Sequence, residues 1–260
     1  MEPVLVSIEA GVQRITLNRP DKLNAFDPAL RKGLADAMAR AESDDAIRCL
    51  LVSGAGRGFC AGQDLTERDM KAAGPIDLGS GLDIAYNPLI KRMRALPKPI
   101  VCAVNGVAAG AGANFALACD IVLAARSASF IQAFVKIGLV PDCGGTYFLP
   151  RLAGTQRAMA LAMTGERLSA EDAERWGLIW KCVDDAQLKI ESEKISVALA
   201  SGPTRSLGLI KKAIYASAGN TLAEQLDLER DLQREIGKGP DYREGVTTFL
   251  EKRKPAFKGQ

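Results

Sequence analysis

From Pro99 to Cys119 the chain reads PIVCAVNGVAAGAGANFALAC, with no charged side chain anywhere in it. A stretch this long and this apolar must be buried, in lipid or in a protein core, and its length is about that of a membrane span. Its internal order decides between the two. Pro99 opens a β-rich run, Asn105 and Gly106 punctuate it, and Gly110 and Gly112 lead into small helix-forming residues. The window therefore reads as strand, turn and helix at the centre of a soluble α/β protein.

The same unit recurs more weakly elsewhere. VQRITLNRP, IRCLLVSGAG and DIVLAARSASF are further buried-strand candidates, each ended by Gly, Asn, Pro or polar residues. Helical patterns lie between them. One covers Pro28 to Glu42, with Asp27 as N-cap and Pro at the first helical position; others cover Tyr86 to Leu96 and Ala111 to Cys119. Alternation of this kind argues for an α/β layered core. The character changes near Pro203, after which only helical patterns follow. Leu207, Ile210 and Ile214 form one apolar stripe and Leu228, Leu232 and Ile236 another, so this region is expected to pack on its own core or on a second copy.

Composition narrows the chemistry. The chain of 260 residues carries a net charge of +3, too little to imply a polyanionic partner. It has six cysteines without a CxxC pair and no histidine. Buried thiols in a reducing compartment fit that pattern better than disulfides or zinc. Lacking histidine, the chain has no Ser-His-Asp or Cys-His machinery, so proton transfer must use carboxylates, Lys, Tyr, Cys or water. The start, MEPVLVSIEAG, lacks the features of a signal peptide, and a cytoplasmic protein is expected.

Two glycine-rich turns follow strands. GAGRGFCAGQDL matches neither a dinucleotide fingerprint nor a Walker loop. NGVAAGAGANFALACD runs straight into a helix, whose first N–H groups favour developing negative charge. Either turn alone could simply permit tight packing; together they could supply two amide donors to one oxygen. A third stretch, GLVPDCGGTYFLPR, holds one carboxylate, Asp142, between a proline and a glycine pair. Pro-Asp-x-Gly is ordinary turn chemistry.

These segments, with LNRPDKLNAF and FLEKRKPAF, stand in the order and spacing of the crotonase (enoyl-CoA hydratase/isomerase) superfamily, which the whole chain resembles. YNPLIKRMRALPKPIVCAVNG, VPDCGGTYFLPR and LDLERDLQRE are similar to its branch that isomerises ring-1,2-epoxyphenylacetyl-CoA. The resemblance implies a crotonase-like spiral of ββα units over residues 1–200 and a helical trimerisation region over 201–260. It implies a homotrimer or a dimer of trimers, with no nucleic-acid or membrane partner. The substrate would be an acyl-CoA thioester, with coenzyme A part of the substrate and no separate cofactor or metal. By the same resemblance the thioester oxygen meets the backbone N–H groups of Gln63 and Ala111, the latter standing where the family usually has Gly. Coenzyme A would lie along Lys22, Asn24, Ala25, Ala61, Asp64 and Leu65, while Phe249 and Lys252 reach a neighbouring subunit's CoA.

Departures from the family pattern matter as much. Its hydratases use two glutamates, and here Asn114 and Phe134 stand at those positions. Neither takes a proton from water, so Asp142 is left as the acid–base residue of an isomerase, which moves a side-chain proton onto an epoxidised ring or shifts a 3,4 double bond to 2,3. Phe134, Leu139 and Val140 would surround that carboxylate with apolar atoms. The segment from Met70 to Tyr86, expected to shape the acyl pocket, has no clear pattern. Cys143 has no basic partner to make it a nucleophile, and Asp64 is expected to cap the helix after its loop. Two rival readings stay open here. A 4-chlorobenzoyl-CoA dehalogenase-like hydrolysis suffers from the missing histidine, and an RNA-binding homologue from the lack of a basic stripe.

Overall fold

The computed structural model describes residues 2–67 and 77–260. Along the chain it forms β1 (Val4–Glu9), β2 (Val12–Leu17), α1 (Pro28–Ser43), β3 (Cys49–Gly54) and β4 (Gly58–Cys60). Then come α2 (Leu78–Gly81), α3 (Asn87–Ala95), β5 (Ile100–Val104), β6 (Val107–Ala109), α4 (Ala111–Leu117), β7 (Ile121–Ala125) and β8 (Ser129–Ile131). The remainder is α5 (Gly145–Ala153), α6 (Thr155–Thr164), β9 (Arg167–Ser169), α7 (Ala170–Arg175), β10 (Lys181–Val183) and α8 (Asp185–Ala200). The chain closes with α9 (Thr204–Ser217), α10 (Leu222–Ile236) and α11 (Pro240–Glu251).

Strands sort into two sheets, ordered β1-β2-β3-β5-β7-β10 and β4-β6-β8-β9. The pairs β3/β4, β5/β6 and β7/β8 each send one strand to either sheet, which is the repeating unit of the fold. The large sheet is parallel except where β1 joins β2, and β1 is correspondingly the strand with an exposed face. All five residues of β5 are buried, because helices and sheet cover both sides of a central parallel strand. That explains why its sequence carries no polar alternation. DIVLAARSASF, expected as one strand, is two: Arg126–Ser127 turns the chain from β7 in one sheet to β8 in the other.

Helix starts follow local chemistry. Asp27 accepts the Leu30 N–H at 2.7 Å and Pro28 occupies the first position of α1. Helix α9 is joined to the spiral by a buried ion pair, Lys211 Nζ to Asp120 Oδ2 at 2.9 Å, and the same ammonium donates to the Met93 carbonyl at 2.8 Å. An ion pair so shielded holds geometry more than it adds stability, since desolvation opposes the Coulomb gain. Among the described residues no helix is long and apolar enough to cross a membrane.

Candidate active site

After β4 the chain runs beside Phe26 as a single parallel bridge. Phe26 N–H donates to the Gly62 carbonyl at 2.7 Å, and Asp64 N–H donates to the Phe26 carbonyl at 3.0 Å. Successive residues of an extended segment point opposite ways, so the backbone N–H of Gln63 faces away from Phe26. Gly62 has φ +90°, and a Cβ there would sit 2.8 Å from the Ala109 carbonyl and 3.3 Å from the Ala111 nitrogen. The first glycine-rich turn is thus pressed directly on the second. Ala111 opens α4, so its N–H is a first-turn amide that no helical carbonyl reaches.

Behind these turns lies an aromatic wall. Phe26 meets Tyr86 and Phe115 edge-on at centroid distances of 5.7 and 5.8 Å. This packing fixes the depth at which the turns sit, and stripping one such ring typically costs about 3–5 kcal/mol.

Asp142 does occupy a turn. Cys143 and Gly144 both adopt left-handed backbone, φ 49° and 81°, and Gly145 N–H donates to the Asp142 carbonyl at 2.9 Å as α5 begins. A second donor reaches the same carbonyl from α4: Asn114 Nδ2, at 2.8 Å. Asn114 is fully buried, and its Oδ1 accepts from Gln132 Nε2 at 2.9 Å. Gly145 is pressed against it, a Cβ there falling 2.3 Å from Nδ2. The half-buried Asp142 side chain lines a cavity of about 350 Å³ together with Arg31, Gln63, Tyr86 and Leu139. Phe134 is buried with its ring beside Gly110, whereas Val140 is 79% exposed and contributes nothing to an apolar surround. Residues 70–76 of the segment expected to shape the acyl pocket lie outside the described residues; the rest of it, from Asp77 to Tyr86, does line this cavity.

Arg31 is the lining residue that sequence reasoning missed, and nothing local announces it; Tyr86 was expected only as the end of the pocket-shaping segment, with no role of its own. Arg31 Nη1 donates to Gln63 Oε1 at 3.1 Å and to the Tyr86 hydroxyl oxygen at 3.3 Å, and that hydroxyl in turn donates to Gln63 Oε1. Burial first, and the nearby Cys143 and Asp142 in addition, push the Tyr86 phenol above its ordinary range. Cys143 is buried, and desolvation followed by the adjacent Asp142 charge drives its thiol far above the usual value, which disfavours the thiolate a nucleophile needs.

The residues expected along coenzyme A are distributed unevenly. Lys22 is exposed at the end of a 3-10 turn, Pro20–Lys22. Asn24 is wholly buried: its Oδ1 accepts from Arg19 N–H at 2.8 Å and its Nδ2 donates to the carbonyls of Ala55, Gly58 and Phe59. Its side chain is therefore committed to tying the Arg19–Asn24 turn to the first glycine-rich turn. Ala25 is buried, Ala61 half-buried and Leu65 exposed. Asp64 accepts from the Thr66 N–H and hydroxyl and from Arg19 Nη2, capping a 3-10 turn at Leu65–Glu67 where a helix was expected. Phe249, 83% exposed, lines a separate groove between α9, α10 and α11, and Lys252 ends α11; neither lines the Asp142 cavity of the same chain. Among the described residues no His, Cys, Asp or Glu cluster is placed to hold a metal ion.

A family model described as enoyl-CoA hydratase/isomerase matches residues 7–260. The chain is 56% identical to the 1,2-epoxyphenylacetyl-CoA isomerase of Escherichia coli (strain K12), covering all of both chains. It is 37% identical to the trans-2-decenoyl-(acyl-carrier-protein) isomerase of Streptococcus mutans serotype c, over 99% of this chain and 98% of that one. The crystal structure of enoyl-CoA hydratase from Bacillus anthracis superposes with a TM-score of 0.93 at 32% identity, covering 99% of this chain and 100% of that one. With its two-sheet repeat, its paired glycine-rich turns and these relatives, the chain belongs to the enoyl-CoA hydratase/isomerase, or crotonase, family.

Proposed function

We propose that this protein is an acyl-CoA isomerase that converts ring-1,2-epoxyphenylacetyl-CoA to the oxepin-CoA and shifts a 3,4 double bond to 2,3 in a linear enoyl-CoA. The observation that carries this reading is the shared cavity: Asp142 and Gln63 line it together, and Gly62 is pressed on the Ala111 amide. The thioester oxygen takes the N–H groups of Gln63 and Ala111, and one such donor is typically worth about 3–4 kcal/mol of transition-state stabilisation. Asp142 removes the proton α to the thioester, leaving an enolate on that oxygen. It then returns the same proton to a ring carbon of the aryl substrate or to C4 of the enoyl chain, a role worth roughly 10²–10⁴-fold. In the epoxide the carbon–carbon bond shared by the three- and six-membered rings breaks while oxygen keeps both its carbons. No atom enters or leaves.

Hydration is disfavoured by the same geometry. The Asn114 amide is spent on the Asp142 carbonyl and Phe134 is apolar, so neither offers a base for water. The identity of 56% with an isomerase named for the aryl epoxide supports that substrate, and the relative named for a decenoyl thioester supports the double-bond shift. Coenzyme A lies along Lys22, Ala61 and Leu65, with the buried Asn24, Ala25 and Asp64 shaping the backbone beneath it. Residues 1–200 form the catalytic unit and 201–260 the oligomerisation unit of a trimer or paired trimers. The apolar groove bearing Ile210, Ile214, Leu232, Ile236, Phe249 and Leu250 supports contact with another copy, whose CoA Phe249 and Lys252 then reach. Six free thiols support a reducing, cytoplasmic setting.

The test is incubation with epoxyphenylacetyl-CoA and, separately, with a 3-enoyl-CoA. Products of unchanged mass with new conjugation in the ultraviolet spectrum are expected. A mass gain of one water, or no conversion of either, contradicts the reading.

A further inference from the structure

Arg31 is a half-buried cation on α1 that lines the same cavity as Asp142. Among the described residues it forms no ion pair. Its Nη1 donates to Gln63 Oε1 and to the Tyr86 hydroxyl, while its guanidinium carbon stands 5.3 Å from the centre of the Tyr86 ring. A guanidinium carries five N–H donors in a rigid fork. Among the described residues Nε and Nη2 donate to no acceptor, although Asp77 and Asp142 line the same cavity. Asp77 turns to the start of its own helix, where its Oδ1 accepts from Gly79 N–H at 2.9 Å and Ser80 N–H at 3.2 Å.

A fork held on one side and open on the other is placed to receive an acceptor from outside the chain. An acyl group without oxygen would desolvate those donors and return nothing, which a polar site penalises. We infer that Arg31 is the specificity-determining residue of the acyl pocket, donating hydrogen bonds to an oxygen atom carried on the acyl group and so favouring oxygenated acyl-CoA thioesters over hydrocarbon ones. The inference rests on the acyl-CoA reading of the site and deepens it. The Nη1 contacts orient the guanidinium through Gln63 and Tyr86; the remaining donors select the substrate.

Binding separates this role from catalysis. Phenylacetyl-CoA and 2-hydroxyphenylacetyl-CoA differ by one acyl oxygen, and titration calorimetry on the native oligomer measures both without turnover. The hydroxylated thioester is expected to bind more tightly by on the order of tenfold, the factor one hydrogen bond of about 1.4 kcal/mol supplies. Arg31→Met should close that gap, and Arg31→Lys, which keeps the charge without the fork, should leave part of it. Equal affinities for the wild type, or a gap that persists in Arg31→Met, overturns the inference. Turnover of the epoxide and enoyl thioesters, measured alongside, decides the isomerase reading independently. A preserved gap without isomerisation sinks that reading alone.

Discussion

The side-chain amide of Asn114, inside the fully buried helix α4, donates across 2.8 Å to the main-chain carbonyl of Asp142. That helix also begins with the Ala111 amide. One rigid element therefore carries both the amide proposed to meet the substrate's oxygen and the strut that holds the Asp142 turn. A turn residue on its own drifts with its loop; here the turn is clamped from its backbone side, and the residue lines the cavity. At the position where the family's hydratases carry a glutamate, this chain places a structural amide instead.

Asn114→Ala should expose how much of the activity depends on that clamp. It removes the bond to Asp142 and strands the Gln132 amide, losses of about 1–3 kcal/mol. Melting is expected to fall by roughly 2–10 °C. Steady-state kinetics should show kcat dropping well beyond the change in KM, because binding survives and alignment does not.

Gly62→Ala tests the paired turns. Its φ of +90° suits glycine alone, and the new methyl would sit 2.8 Å from the Ala109 carbonyl. Forcing the two turns apart should lower kcat by on the order of 10²–10³-fold, the loss typical of a missing oxyanion donor. Affinity for free coenzyme A, read by calorimetry, should change little.

Acid sensitivity should trace in part to Asp64. The Thr66 hydroxyl first, and Arg19 in addition, hold this carboxyl below its ordinary value despite opposing desolvation. Its folded form prefers the charged state, so its contribution is present above the unfolded value near about pH 4 and is lost as pH falls through the lower folded value. Urea unfolding midpoints for Asp64→Asn should be lower than wild type at pH 7 and should decline less steeply toward pH 3.

Thiol chemistry offers a simple check on burial. Five of the six cysteines are buried and Cys182 is half-buried. Burial pushes the thiols of Cys49 and Cys60 up to about 12. A disulfide reagent at pH 8 should label Cys182 alone in the native protein and all six after unfolding. Cys143→Ala should retain wild-type turnover.

Strand β5 and helix α1 were legible in the sequence because each rests on local chemistry, a continuous apolar run in one case and an Asp-Pro start in the other. Three-residue strands β4, β6 and β8 were not. They are too short for any periodicity and lie in or beside glycine-rich or polar stretches, so only their pairing in the second sheet defines them. Asp142 stood out as a lone carboxylate amid apolar residues. Arg31 carried no such mark, and Tyr86 only its place at the end of a segment, since their meeting with Gln63 is made by packing between segments far apart in the chain. Asn24 illustrates the opposite error: it was expected along coenzyme A, but its side chain is consumed by the carbonyls of Ala55, Gly58 and Phe59.

Turnover of epoxyphenylacetyl-CoA by Asp142→Asn is the most direct test of all. The amide keeps the shape of the turn and its backbone bonds but cannot carry a proton between carbons. A loss on the order of 10²-fold or more, with melting temperature and coenzyme A affinity unchanged, is the expected result. Turnover near that of the wild type would show that the carboxylate is not the group that moves the proton.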